Sequence, residues 1–147
     1  ASVPSGSVLH VVCAKYSTQV TSTSATPSDT GLTATITPTS TSSTILVSVH
    51  QNAPFISNDN NANDMGIWLY RGSSEISRLA FELGFTGSSH YSTTATVSTS
   101  YLDSPSTTSA TTYKTKFANP DGGAAGGYVR VQNATNESTI TLMEIKG

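Results

Sequence analysis

Apolar and hydroxyl-bearing residues alternate one by one along most of this chain. In "LTATITP" (32–38), Leu32, Ala34 and Ile36 fall on one side and threonines on the other. In "STILVSVHQNA" (43–53), Ile45, Val47 and Val49 share one face, with Leu46 opposite. "YSTTATVSTSYLD" (91–103) alternates through Tyr91, Thr93, Ala95, Val97, Thr99 and Tyr101, and "ATTYKTKFAN" (110–119) through Tyr113 and the pair Lys114 and Lys116. A period of two is the signature of a half-buried strand. "SVLHVVCAKYS" (7–17) is a short run of β-type residues and predicts the first strand. "IWLYRGSSEISRLAFE" (67–82) predicts strand, Gly-Ser turn and strand, a hairpin, with a short helix over 74–83 as the competing reading. "YVRVQN" (128–133) and "STITLMEIK" (138–146), separated by "NATNE", predict a final hairpin.

The segments between are polar and rich in turn residues. They are 18–31 with Pro27, Asp29 and Gly31, the Asn-rich 54–66, 84–90 and the "PDGGAAGG" turn at 120–127. Pro38 cannot donate to a ladder and is expected at a strand end. Of the 147 residues, 48 are Ser or Thr, which raises the alternative of a mucin-like stalk. The apolar period excludes it, because such a stalk has none, and threonine's β-branch suits a pleated surface. Eight to ten strands with turns at regular spacing predict an all-β fold, an antiparallel β-sandwich or jelly roll. The length suits one domain, placed at 8–147, with 1–7 as a flexible lead-in or anchor.

Only 11% of residues are charged and the net charge is −2. The basic residues are scattered and form no stripe, so nucleic acid is not an expected partner. No apolar run approaches the ~20 residues of a membrane helix, so no membrane insertion is expected. Cys13 is the sole cysteine, so no internal disulfide forms, and a lone Cys in an apolar strand is expected as a small buried residue. His10, His50 and His90 fit no metal-binding spacing, and the serines lie in no G-x-S-x-G elbow.

The chemistry that remains is sparse. The carboxylates make a glycosidase only if folding brings two within ~5–10 Å. "DNNAND" (59–64) begins like a calcium loop with Asp59, Asn61 and Asn63. The glycine required at the sixth position is Asp64, and the glutamate required at the twelfth is Tyr70. Trp68 and Tyr70 share one strand face, with Ile67 and Leu69 on the other. Such an aromatic pair stacks on sugar rings, anchors a partner or packs in a core or subunit contact. Asn133 and Asn136 stand in N-x-S/T triplets, which arise readily in a Ser/Thr-rich chain. Trp68, Tyr70 and the loop residues Asn58, Asp59, Asn61, Asn63 and Asp64 are therefore the candidate ligand-binding residues; no catalytic residue, metal or cofactor is expected.

"PSGSVLHVV", "TGLTATITPTSTSSTILVSV" (30–49), "WLYRGSSEI" (68–76), "LDSPSTTSATTYKTKF" (102–117) and "STITLMEIKG" together resemble the C-terminal β-sandwich module of fibre-like virion proteins of tailed phages and marine viruses. The resemblance spans nearly the whole chain and rests on structural motifs. It implies a non-enzymatic knob, a homotrimer located on a virion, serving host attachment or capsid decoration. Its partners would be copies of itself, other virion proteins and a host-surface glycan or receptor. The chain departs from the pattern in its 58–64 loop and its "DGGAAGG" turn, where a specific ligand surface is expected. The competing reading is a carbohydrate-binding β-sandwich of a secreted protein, which requires Trp68 and Tyr70 exposed on one face.

Overall fold

The computed structural model describes residues 3–57, 63–84, 93–121 and 127–147. Ten strands run in chain order: β1 (Val8–Tyr16), β2 (Val20–Ser22), β3 (Ser28–Ile36), β4 (Thr44–Ile56), β5 (Met65–Arg71), β6 (Ser74–Leu83), β7 (Thr93–Asp103), β8 (Thr111–Ala118), β9 (Val129–Val131) and β10 (Ser138–Ile145). All described pairings are antiparallel.

Two pairs of strands are each one interrupted strand. β1 and β2 run along β10 and β9 in turn, Val8 with Ile145, Tyr16 with Ser138 and Ser22 with Val129, with a register shift after Val8 and another between the two lengths. Both β9 and β10 also pair β4, at Ile56 and at Val49 for example. The first sheet is therefore four-stranded in effect, β1/β2–β10/β9–β4–β7, and the second is β3–β8–β5–β6. Eight strands in this order, two Greek keys folded face to face, make a jelly roll. The expected fold class holds.

Several local expectations change. Residues 18–31 are not one loop: they contain β2 and the start of β3, since short polar strands leave no apolar period to read. The segments 128–133 and 138–146 do not form a hairpin. A short 3-10 turn (Asn133–Thr135) separates them, with Gln132, Ala134 and Thr135 all at positive φ, and each pairs elsewhere. β4 runs through Pro54, because a register shift between Asn52 and Phe55, with Ala53 at φ 46°, relieves the ladder of a donor there. Residues 74–83 are strand, not helix; Gly72, at φ 58°, turns β5 into β6 as the Gly-Ser signal predicts. Cys13 is exposed, not buried, because β1 is an edge strand and Cys13 points away from the second sheet. His90, Tyr91 and most of the expected 84–90 and 120–127 turns fall outside the described residues.

The core has two apolar clusters. One gathers Leu32, Ile36, Ile45, Val47, Leu69 and Tyr113 with their neighbours. The other gathers Ile56, Met65, Ile67, Phe117, Val129 and Val131. Between them lies a layer of buried polar side chains that ties the sheets together. Thr115 Oγ1 donates to Gln51 Oε1 (2.9 Å) and lies 2.6 Å from Thr30 Oγ1. Gln51 Nε2 donates to Gln132 Oε1 (3.1 Å) and to Ser138 Oγ (3.0 Å). Gln132 Nε2 donates to the carbonyl of Thr30 (3.0 Å), and Ser138 Oγ accepts the Asn52 N–H (2.9 Å). A polar layer is tolerated in a core when its members satisfy one another, as here.

Candidate functional site

The second sheet turns a mixed face to solvent. β8 presents Lys114 and Lys116 outward because the residues between them, Tyr113, Thr115 and Phe117, are fully buried. Across the sheet, Lys114 pairs with Tyr70 and Lys116 with Trp68. Asp29 of β3 is 3.0 Å from Lys114 Nζ and 3.9 Å from Lys116 Nζ, and Lys116 Nζ sits 4.8 Å above the Tyr70 ring. Next to this cluster the β3–β8 surface and the Gly72–Ser73 turn enclose an open groove of about 530 Å³, lined by Asp29, Gly31, Thr33, Ser73, Thr112 and Lys114 among others. The groove offers ammonium and hydroxyl donors with one aromatic face nearby. That chemistry suits a hydroxyl-rich or anionic ligand such as a sugar.

Trp68 does not line that groove. Its ring lies flat across Gly66, where a Cβ would fall 2.1 Å from the indole, and it meets Phe81 edge-on at 6.2 Å. Arg78 covers Phe81 at 4.4 Å. Trp68 is consequently only 6% exposed, whereas Tyr70 is half-buried. The two aromatics share the outer face, as the alternation predicts, and Ile67 and Leu69 face the core. No sugar-stacking platform results, because the indole is covered by its own chain. Asn63 and Asp64 are buried. Asn63 Nδ2 donates to the Ser57 carbonyl at 3.4 Å and its Oδ1 accepts from Asn119 Nδ2 at 2.8 Å, so it ties Ser57 to the end of β8. Burial raises the Asp64 carboxyl above its ordinary range, with Asp121 adding to the effect. Asn58, Asp59 and Asn61 lie outside the described residues.

Sequence reasoning missed the groove itself. Its lysines were visible as a strand pair, but their meeting with Asp29 depends on β3 lying beside β8, which no local pattern encodes.

Asp103 and Glu144 both pair with Ile45 from opposite sides, so they stand on one transverse row of the first sheet, about 10 Å apart at the usual strand spacing. That approaches the separation of an inverting glycosidase pair. Both are occupied structurally, and Ile45, fully buried, fills the space between. Asp103 accepts Arg71 Nη1 on both oxygens (3.0 and 2.9 Å) and the Tyr113 hydroxyl (2.6 Å). Burial pushes the Tyr113 hydroxyl far up, and the Asp103 hydrogen bond adds to it. Glu144 accepts the Thr39 N–H and hydroxyl, each at 2.7 Å. Burial works to raise the Glu144 carboxyl, but the two Thr39 donors and the nearby Ser43 hydroxyl outweigh it and hold the group below its ordinary value. No cluster of three or more metal-ligating side chains occurs among the described residues.

The sign of the Glu144 shift sets a pH dependence. A carboxyl depressed in the folded state stabilises the fold above its unfolded value and loses that contribution as pH falls through the folded value. Glu144→Gln is therefore expected to lower the melting temperature at pH 7 and to differ less from the parent at pH 3. An equal difference at both pH values, by thermal circular dichroism, would show that the carboxylate's charge plays no part.

No family model and no curated protein matches the chain. Among solved structures it is similar to the VP2 subviral particle of infectious bursal disease virus, with a TM-score of 0.47 and 11% identity over 94% of this chain and 37% of that one. It is similar to a mutant VP2 protein of the same virus in derived particles (0.45, 14%, 96% and 37%). A third likeness is the structure of the Gx strain of that virus (0.41, 12%, 94% and 30%). The chain spans about a third of the length of each. At these identities and scores the likenesses say nothing of what this chain does; the fold rests on its own strand order, which is that of a jelly roll.

Proposed function

We propose that the chain is a non-enzymatic structural domain of a virion, a fibre-knob-like or capsid-decorating module. One observation carries this reading. The eight-strand jelly roll commits its two row-paired buried carboxylates, Asp103 and Glu144, to holding strands and loops together, so its surfaces, not an internal site, are left to act. Jelly rolls serve viral shells, lectins and cupins alike, so the fold alone does not choose among them. No group of three or more His, Cys, Asp or Glu side chains, such as a cupin uses to hold its metal, comes together among the described residues. The lectin-like reading loses its main support with the covered indole of Trp68. Self-association belongs to the proposal, and the sequence resemblance implies three subunits on a virion. In the host-attachment form of the role, the groove beside Asp29, Lys114 and Tyr70 is the natural place for a host-surface glycan or receptor.

The test is immunogold electron microscopy of particles of the virus that encodes the chain. Antibody to the chain should decorate their outer surface. Purified chain that competes with those particles for host cells assigns attachment; decoration without competition assigns a shell role. Unlabelled particles, with the chain found only in the surrounding medium, would overturn the proposal.

A further inference from the structure

The outward face of the first sheet carries a pattern that crosses strands and so is invisible along any one of them. Val11 pairs with Met143, Met143 with Leu46, and Leu46 with Leu102. These four side chains form an apolar row from one edge of the sheet to the other, on the side away from the core. Val11 is 51% and Leu102 59% exposed. The next row is Cys13, Thr141, Ser48 and Ser100. Its polar groups already pair across strands: Ser48 Oγ lies 3.0 Å from Ser100 Oγ, and Thr141 Oγ1 donates to Cys13 Sγ at 3.5 Å. In the row beyond, His50 Nδ1 lies 3.0 Å from Ser98 Oγ. Lys15, at the edge, is already paired with Glu137 at 2.8 Å.

We infer that this face packs back to back on the same face of a second copy, about a two-fold axis that runs parallel to the strands between β10 and β4. Three observations select that occupant. The first is size. Four strands at ~4.8 Å spacing and about eight residues at ~3.3 Å rise give a projected face of about 500 Å². Two such faces bury about 1,000 Å², the size at which a specific contact becomes credible. The second is the low cost of drying the face. Its polar groups satisfy one another, so their burial against a flat partner strands few donors or acceptors. The third is charge complementarity. The outer face of the other sheet carries Asp29, Lys114, Lys116, Glu75 and Arg78, and would leave charges against the apolar row. Among the described residues only the first sheet's own face is apolar along one row and uncharged at its centre, so the contact is isologous. The proposed axis sets Val11 against Leu102 of the second copy, Met143 against Leu46, and each hydroxyl row against a hydroxyl row. Aligned sheet packing of this kind is an ordinary solution for two β layers. The inference does not depend on the virion reading; a secreted or cellular jelly roll with this face would pair in the same way.

The test reads both mass and register. Light scattering after size exclusion should give twice 15.3 kDa, or an even multiple of the chain. Leu102→Lys, on an exposed position that leaves folding intact by circular dichroism, should halve it. Ser100→Cys places a thiol opposite the native Cys13 of the other copy. A bismaleimide too short to span the three strand spacings, about 14 Å, that separate residues 13 and 100 within one chain should then yield a covalent dimer. The parent, with Cys13 alone, should not crosslink. A monomer at every concentration, a trimer or other odd-numbered oligomer, an assembly that Leu102→Lys leaves unchanged, or an oligomer of the Ser100→Cys chain that fails to crosslink would each overturn the assignment. None of these outcomes bears on whether the chain labels virions.

Discussion

Asp103→Ala is expected to lower the melting temperature by on the order of 6–12 °C. Asp103 belongs to β7 in the first sheet; its two partners, Arg71 and Tyr113, belong to β5 and β8 in the second. Removing the carboxylate breaks an inter-sheet clamp and leaves a buried phenol without an acceptor. An unmet buried donor costs about 1–3 kcal/mol. The lost ion pair adds to this, reduced because a third of the Arg71 side chain reaches solvent. A total of about 3 kcal/mol corresponds to that temperature range for a domain of this size. Adding Tyr113→Phe should recover about 1 kcal/mol, because the stranded hydroxyl is then gone. If Asp103→Ala and the double variant melt together, the phenol found another acceptor and the clamp is not the reason for the loss.

The second large effect is expected at Gln51. Gln51→Leu nearly preserves volume but withdraws one acceptor and two donated bonds from the polar layer, so Thr115 and Gln132 lose partners in a dry core. The cost is about 3 kcal/mol, read as a lower urea midpoint with an unchanged m-value. The informative comparison is the triple variant Gln51→Leu, Thr115→Val, Gln132→Leu. Replacing the three mutually bonded side chains together removes most of the stranded atoms, all but the Thr30 carbonyl that Gln132 Nε2 served, and part of the stability should return. A single variant as stable as the parent would mean that the network contributes nothing to holding the sheets. Loss of stability that the triple variant deepens would mean that packing, not hydrogen bonding, governs the layer.

How far the sequence discloses this molecule depends on whether a feature is local. Alternation marks β3, β4, β7 and β8 because each has one buried and one solvated face. The Gly72 turn and the opposite orientations of Trp68 and Leu69 follow from the same period. Strand order does not follow, and the errors cluster there. Val129–Val131 and Ser138–Ile145 look like a hairpin because they are adjacent in sequence, yet they are two lengths of one strand. Cys13 sits in an apolar run that reads as core, and only the position of β1 at a sheet edge exposes it. The groove beside Asp29 has the same history. The apolar row left a faint signal: Leu46 stands on the polar side of its own strand, as do Val11, Leu102 and Met143. Each taken alone is an ordinary surface residue, and only the register of four strands makes them a feature.

The interrupted strand formed by β9 and β10 has a consequence for how the chain is made. It is the last of the ten strands to leave a ribosome, yet β10 lies between β1 and β4, at the centre of its sheet. Until residues 138–145 emerge, β1 and β4 present open edges to each other with nothing to join them, and the first sheet cannot close. A chain cut before residue 138 is missing its keystone, and open edges of this kind invite pairing with neighbouring chains. Closure of the first sheet therefore waits on residues 138–145, and β1 is left without its sheet neighbour until they arrive.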